Sequence, residues 1–344
     1  MRKLMLVLPF IALAFLCWGA YGPLLHSGQE AMARSSLRPF LCVGVAYFVV
    51  AVIVPILLLR TQGEAGEWTL GGTFWSLAAG AAGAAGALGV IFAFRLGAKP
   101  VYVMPLVFGC APVVNTLVTM ATNRSLRQAS PVFYLGVLLA ALGAAGVLFF
   151  KPGERSLNIA DLTVRDFVGV LIAIAVTAIS WGVYGPMLHR GQQKMLGSRL
   201  RPLLCVGLSY FGMAVVVPLA MLGMWIEPGH WSLSGVLWSL AGGAAGAIGA
   251  LGIILAFNFG GRPIYVMPLV FGCAPIVNTL ITIVGHGAWS QVPLAFYPSL
   301  TLAIIGAVTV LVFAPKPAHP SAATDPPDIK AEAHLHSPLD GPIA

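Results

Sequence analysis

The 344 residues are 58% hydrophobic and only 9% charged, against about 25% charged in a soluble globular protein. So few charges cannot cover a water-exposed surface, which excludes an ordinary soluble enzyme and leaves a chain wrapped largely in lipid. The formal charge of +8 then reads as membrane sidedness, and nucleic-acid binding is not needed to explain it.

A bilayer core about 30 Å thick is crossed by a helix of roughly 20 apolar residues. Ten such runs occur, near 4–25, 40–60, 71–94, 101–121, 131–150, 166–188, 203–223, 235–257, 264–284 and 294–313. The first begins Met1-Arg2-Lys3, as a secretory signal does. However, its Trp18-Gly19, Tyr21-Gly22-Pro23 and His26 recur as Trp181-Gly182, Tyr184-Gly185-Pro186 and His189, so a retained helix is expected. Short polar joints separate the runs, with His26–Pro39 and His189–Pro202 among the clearest. The expected class is an all-α integral membrane protein of ten transmembrane helices. Residues 1–150 form one five-helix unit, 151–165 a linker, 166–313 a second unit and 314–344 a disordered tail. His334 and His336 in that tail make a poor metal site, and neither a metal nor a cofactor is expected.

Adding 163 to a position in the first unit finds its partner in the second. WGAYGPLLHSGQ at 18–29 matches WGVYGPMLHRGQ at 181–192, and LRPFLCVGVAYF at 37–48 matches LRPLLCVGLSYF at 200–211. PVYVMPLVFGCAPVVNTL at 100–117 matches PIYVMPLVFGCAPIVNTL at 263–280. Five helices per copy is odd, so the second copy enters the membrane from the opposite face, an inverted repeat. With the N-terminus inside, the cytoplasmic segments hold 12 Lys and Arg and the outer ones seven, as positive-inside bias requires. Equivalent loops exchange charge with sidedness: Ser27, Ala31 and Ser36 become Arg190, Lys194 and Arg199, while Arg124 and Arg127 become Gly287 and Ser290. Arg95 runs the other way, becoming Asn258.

Sites in inverted-repeat carriers lie near the midplane, often at interrupted helices. The fourth helix of each copy carries Pro112, Asn115 and Thr116, matched by Pro275, Asn278 and Thr279 on one helical face. Each Pro removes a backbone donor, frees the carbonyl of Phe108 or Phe271, and is expected to kink its helix. Such polar groups avoid hydrocarbon. They either line a cavity or make an interhelical contact. Trp18 and Tyr21, with Trp181 and Tyr184, share faces of the first helices and either hold a solute or anchor at the interface. His26 and Gln29, with His189 and Gln192, fall at first-helix ends. They either couple or gate through protonation or hydrogen-bond locally. Arg38 and Arg201 read as membrane-surface anchors. The Gly80, Gly83, Gly86 and Gly89 stripe and its copy suit close helix packing, not a phosphate loop, since no GK[ST] follows. The five cysteines lie in apolar runs and read as small hydrophobes. No Asp or Glu lies in the interior of a run, which argues against a buried-carboxylate proton relay and favours a neutral solute.

Two five-helix repeats with a Trp-Gly pair in the first helix of each resemble the drug/metabolite transporter superfamily, EamA-like branch. YVMPLVFGCAPVVNTL at 102–117 also looks like its glucose and rhamnose uptake branches. The resemblance implies a central cavity worked by alternating access, with both termini cytoplasmic in the inner membrane. It implies that Trp18, Tyr21, Asn115, Thr116, Trp181, Tyr184, Asn278 and Thr279 lie near a sugar, drug or other metabolite. The expected partners are this small-molecule solute and the lipid bilayer, with a homodimer as the candidate assembly. A membrane sensor or assembly protein, or a lipid-acting membrane enzyme, is the alternative.

Overall fold

An apolar helix satisfies its own backbone N–H and C=O groups where no water reaches, and each of the ten apolar runs is helical. The structure is a computed structural model that describes residues 2–96, 98, 100–122, 129–150, 164–224, 227–285, 290 and 292–313. The loop at 123–128, the linker at 151–163 and the tail from 314, with its His334 and His336, lie outside the described residues.

In chain order the helices of the first half are α1 (Arg2–Ala31), α2 (Leu37–Phe48), α3 (Val54–Thr61), α4 (Leu70–Arg95), α5 (Pro100–Thr122) and α6 (Pro131–Phe149). Those of the second half are α7 (Val164–Lys194), α8 (Leu200–Phe211), α9 (Val217–Met224), α10 (Leu233–Asn258), α11 (Pro263–Gly285) and α12 (Phe296–Phe313). π-Helical turns at Val49–Ile53 and Gly212–Val216 join α2 to α3 and α8 to α9 into single rods. The chain is all-α among the described residues, and seven of its rods are long and apolar enough to cross a membrane. The apolar stretches Leu106–Thr122, Pro131–Val147 and Phe296–Val310 are shorter.

Two local expectations are corrected. The joints expected to start at His26 and His189 start later, because α1 and α7 run on to Ala31 and Lys194. Pro23 and Pro186 sit inside these helices. In apolar surroundings neighbouring groups can satisfy the carbonyl that a proline frees, so the helix is not forced to end. Left-handed residues close the overrun instead: Ala33 and Arg34 in one copy, Leu196 and Gly197 in the other. Arg34 N–H reaches back to Gln29 O at 2.7 Å and Gly197 N–H to Gln192 O at 3.0 Å, a capping bond of the Schellman kind. The fourth helices, expected to be interrupted, are continuous over Pro100–Thr122 and Pro263–Gly285. The irregular turns lie in the second helices, just before Pro55 and Pro218.

Residues 1–314 form one compact unit, and 315–344 are assigned to a second. Within the first unit the two halves interleave: α1 lies along α10, α4 along α7, α2 along α8 and α6 along α12. Each contact recurs with the halves exchanged. Gly143 faces the backbone of Ala303, and Gly306 faces that of Ala140. Gly44 packs on Ala214, and Gly207 on Ala51, each at 2.9 Å from a would-be Cβ. Reciprocal contact of this kind is how two-fold related surfaces meet.

Candidate functional site

The site begins with two indoles. Trp18 on α1 donates its Nε1–H to Gly246 O on α10 at 3.2 Å, and Trp181 on α7 donates to Gly83 O on α4 at 3.1 Å. The glycine-rich third helix makes this possible. A Cβ at Gly249 would strike the Trp18 ring and one at Gly86 the Trp181 ring. Gly80 meets the Val206 backbone, in line with the expected close packing, but Gly83 and Gly86 make room for aromatic side chains.

Around the indoles the aromatics continue. Trp18 lies 5.9 Å from Phe271 and 5.9 Å from Tyr184, ring centre to ring centre. Trp181 lies 6.0 Å from Phe108, and Phe108 meets Phe271 at 6.0 Å and 64°. Tyr47 and Tyr210 stack nearly parallel at 3.8 Å. These seven aromatic side chains, with Tyr21, Gly22, Ala87, Met104 and Asn278, bound a cavity of about 680 Å³ including its open mouth.

Of the expected solute-binding residues, Trp18, Tyr21, Trp181, Tyr184 and Asn278 line this cavity. Asn115, Thr116 and Thr279 are not on its wall. Asn115 is fully buried and donates Nδ2–H to Pro263 O at 3.0 Å, with its Oδ1 beside Gly185. The hydroxyls of Thr116 and Thr279 are buried without a partner among the described residues. Asn278 Nδ2 packs against Gly22, so the bare Gly22 and Gly185 of the Gly-Pro pairs each accommodate an asparagine.

The His and Gln pairs lie off the cavity wall and differ between copies. Gln192 is buried and donates to Ile254 O at 3.1 Å, while His189 meets Gln193 Nε2 at 3.0 Å and the Phe257 ring at 4.8 Å. Asn258 donates to Gly197 O at 2.8 Å at the same end. His26 is exposed and Gln29 half-buried, and neither side chain has a partner among the described residues. Among those residues no three His, Cys, Asp or Glu side chains converge as metal ligands would.

The sequence reading passed over two groups. Tyr47, Tyr210, Phe108 and Phe271 complete the aromatic wall. The signal was their pairing at the 163-residue offset, inside blocks already matched. Glu64 and Glu227 are the other group. The Glu227 carboxylate accepts from Ser35 Oγ at 2.7 Å, Ser36 N–H at 2.8 Å and Leu37 N–H at 3.1 Å. Glu64 accepts from Ser198 Oγ at 2.5 Å, Arg199 N–H at 2.7 Å and Leu200 N–H at 3.1 Å. Each caps the N-terminus of a helix in the other half, where free N–H groups and the helix dipole favour an anion. Arg38 lies 3.4 Å from Glu227 and Arg201 3.6 Å from Glu64, with side chains only 14% and 13% exposed. They close these clasps and do not serve as surface anchors. Burial alone would raise the Glu64 carboxyl, but the bonds from Ser198, Arg199 and Leu200 outweigh it and hold the group below the ordinary glutamate range.

Comparison with known proteins adds the fold alone. No family model matches the chain, and no curated protein does. A solved structure titled only "Crystal structure of protein" superposes with a TM-score of 0.64 over 89% of this chain and 97% of its own, at 18% identity. At that identity the likeness is one of fold.

Proposed function

We propose that this chain is a secondary carrier of the drug/metabolite type that moves a small, largely uncharged organic solute by alternating access. In this reading ten transmembrane helices form two inverted five-helix repeats in the inner membrane, with both termini cytoplasmic. The exchange of loop charge between equivalent joints and the reciprocal packing of the halves support the inverted arrangement. An aromatic cavity contributed by both halves supports a solute site.

The observation that carries alternating access is an inequality between near-identical sequences. Gln192 and His189 are tied to α10 at one end of the helices, whereas among the described residues Gln29 and His26 hold no partner at the other. A scaffold whose clasps and indole bonds are reciprocal, but whose ends are not, suits two states in which the ends exchange roles.

The test is solute flux. Purified protein in liposomes is offered labelled sugars, nucleosides, amino acids and organic drugs, beside protein-free liposomes. Saturable uptake that Trp181→Ala abolishes supports the carrier. A folded protein that moves none of them above the blank overturns it.

A further inference from the structure

The cavity departs from the symmetry of its walls. Most of its lining residues come as matched pairs at the 163-residue offset, such as Trp18 with Trp181 and Phe108 with Phe271. Gly22, Ala87, Met104 and Asn278 line it without their counterparts. Those counterparts, Gly185, Ala250, Met267 and Asn115, are off the wall and buried, the last three at most 1% exposed.

Helix α11 shows where the two sets lie. Its Met267 packs on Gly185 of α7, its Phe271 on Trp18 at 5.9 Å, and its Asn278 on Gly22 of α1. From Met267 to Asn278 is about 16 Å along a helix, with the aromatic centre between them. On α5, Phe108 meets Phe271 and Asn115 reaches Pro263 O. That helix therefore runs antiparallel to α11, and Met104 lies on the Gly22 side of the centre. The cavity extends towards Gly22 and stops short of Gly185.

A thioether fills the Gly185 side. A Cβ at Gly185 would overlap Met267 Cγ and lie 2.8 Å from its Sδ, with Asn115 Oδ1 at 3.2 Å. Asn115 also ties α5 to the start of α11 through Pro263 O at 3.0 Å. At Gly22, among the described residues, only Asn278 comes within 4 Å of a would-be Cβ. Met104 stays clear of that position and is half-buried. The bare glycine lets Met267 seat, and an unbranched side chain with three rotatable bonds is suited to leave again.

We infer that Met267 on Gly185 is a closed gate of the cavity, and that Met104 is the equivalent gate at Gly22, open here and closed when Met267 leaves. This rests on the carrier reading and names the residues that let its two ends open in turn. Burial sets the sign of each contribution. Met267 is buried in this state and lines the cavity in the other, so truncating it costs this state more. Met104 is half-buried here and buried there, so truncating it costs the other state more.

The test reads maleimide labelling of His189→Cys, one turn beyond Gly185, in the full chain without native cysteines in lipid nanodiscs. Met267→Ala is expected to speed labelling at least about tenfold, the change that about 1.4 kcal/mol makes. Met104→Ala, on the far side of the aromatic centre, is expected to slow it at least about threefold on the same scale. Met267→Leu keeps the volume and should speed labelling less than Met267→Ala. A packing role alone would leave the His189→Cys rate untouched by Met104→Ala. That result, or faster labelling in Met104→Ala, would overturn the paired gate, and so would an unchanged rate in Met267→Ala. If Met267→Ala does not fold, the response to Met104→Ala decides. Solute flux in liposomes is read separately. Opposite shifts with no solute moved leave the paired gate standing and remove the carrier. Solute flux with neither shift does the reverse.

Discussion

Trp18 and Gly249 meet across the two halves so closely that the glycine cannot carry a side chain. The indole lies where a Cβ would stand, and its N–H is already held by Gly246 O one turn away at 3.2 Å. Gly86 stands in the same relation to Trp181. The ring is rigid, held by packing on one side and a hydrogen bond on the other, so the helix backbone fixes the shape of the cavity.

Gly249→Ala therefore has to push the indole into the cavity or spread α1 from α10. The expected cost is about 1–3 kcal/mol, the range for overpacking a filled interior. Tryptophan emission should change with it, and binding of any cavity ligand should weaken. A variant with unchanged melting temperature and emission would contradict the close contact.

The clasps make a separate prediction about acid. Glu64 is held below its ordinary range in the folded chain. Its contribution is fully present above the unfolded value, near 4.5, and is lost as pH falls through the lower folded value. Glu64→Gln keeps an acceptor but loses the charge, and should lower stability at neutral pH by about 1–2 kcal/mol. Its melting temperature should change less with acidification than that of the parent, so the two curves converge below about pH 4, the ordinary range of a glutamate. Parallel curves down to that pH would show that the carboxylate carries no charge-dependent stability.

How much of this was legible beforehand depends on the range of the interaction. Apolar run length located the long helices among the described residues, because the backbone in lipid has few other ways to pair. The helix ends at Ala31 and Lys194 were misjudged because the apolar runs stop before His26 and His189, whereas the polar turns that follow stay helical. Asn115 was recognised as polar and inward-facing, but its partner, Pro263 O, is 148 residues away, and no local spacing reports it. Tyr47 and Tyr210 were hidden because each is unremarkable alone, and only their mutual stacking makes a wall. Glu64 and Glu227 escaped notice because they sit in joints, and a cap supplied from another half leaves no capping-box spacing in the sequence.

The crossing of α6 and α12 gives a stability test away from the cavity. Gly143 meets the Ala303 backbone and Gly306 that of Ala140. Backbone cannot swing aside as a flexible side chain does, so Gly143→Ala must part the helices. A loss of about 3 kcal/mol is expected, with Gly306→Ala equal to it by reciprocity. Gly223 has nothing within 4 Å of a would-be Cβ, so Gly223→Ala should be neutral or stabilising by up to about 1 kcal/mol. Thermal melts in one detergent would rank the three, and a neutral Gly143→Ala would deny the crossing.

The unequal ends give the most direct test of alternating access. In a background without native cysteines, His26→Cys should react with a soluble maleimide at least about tenfold faster than His189→Cys, since a tenfold difference needs only about 1.4 kcal/mol between closed and open ends. Gln192→Ala removes the bond to Ile254 O, worth about 1 kcal/mol, and biases the chain towards opening that end. Added to His189→Cys, it should raise the rate several-fold. If the ends exchange roles, the same change should slow His26→Cys, because the chain then spends less time with that end open. Local fraying would behave differently: Gln192→Ala would speed His189→Cys and leave His26→Cys untouched. Opposite responses at two positions on different helices thus separate a coupled two-state carrier from a loosened helix end.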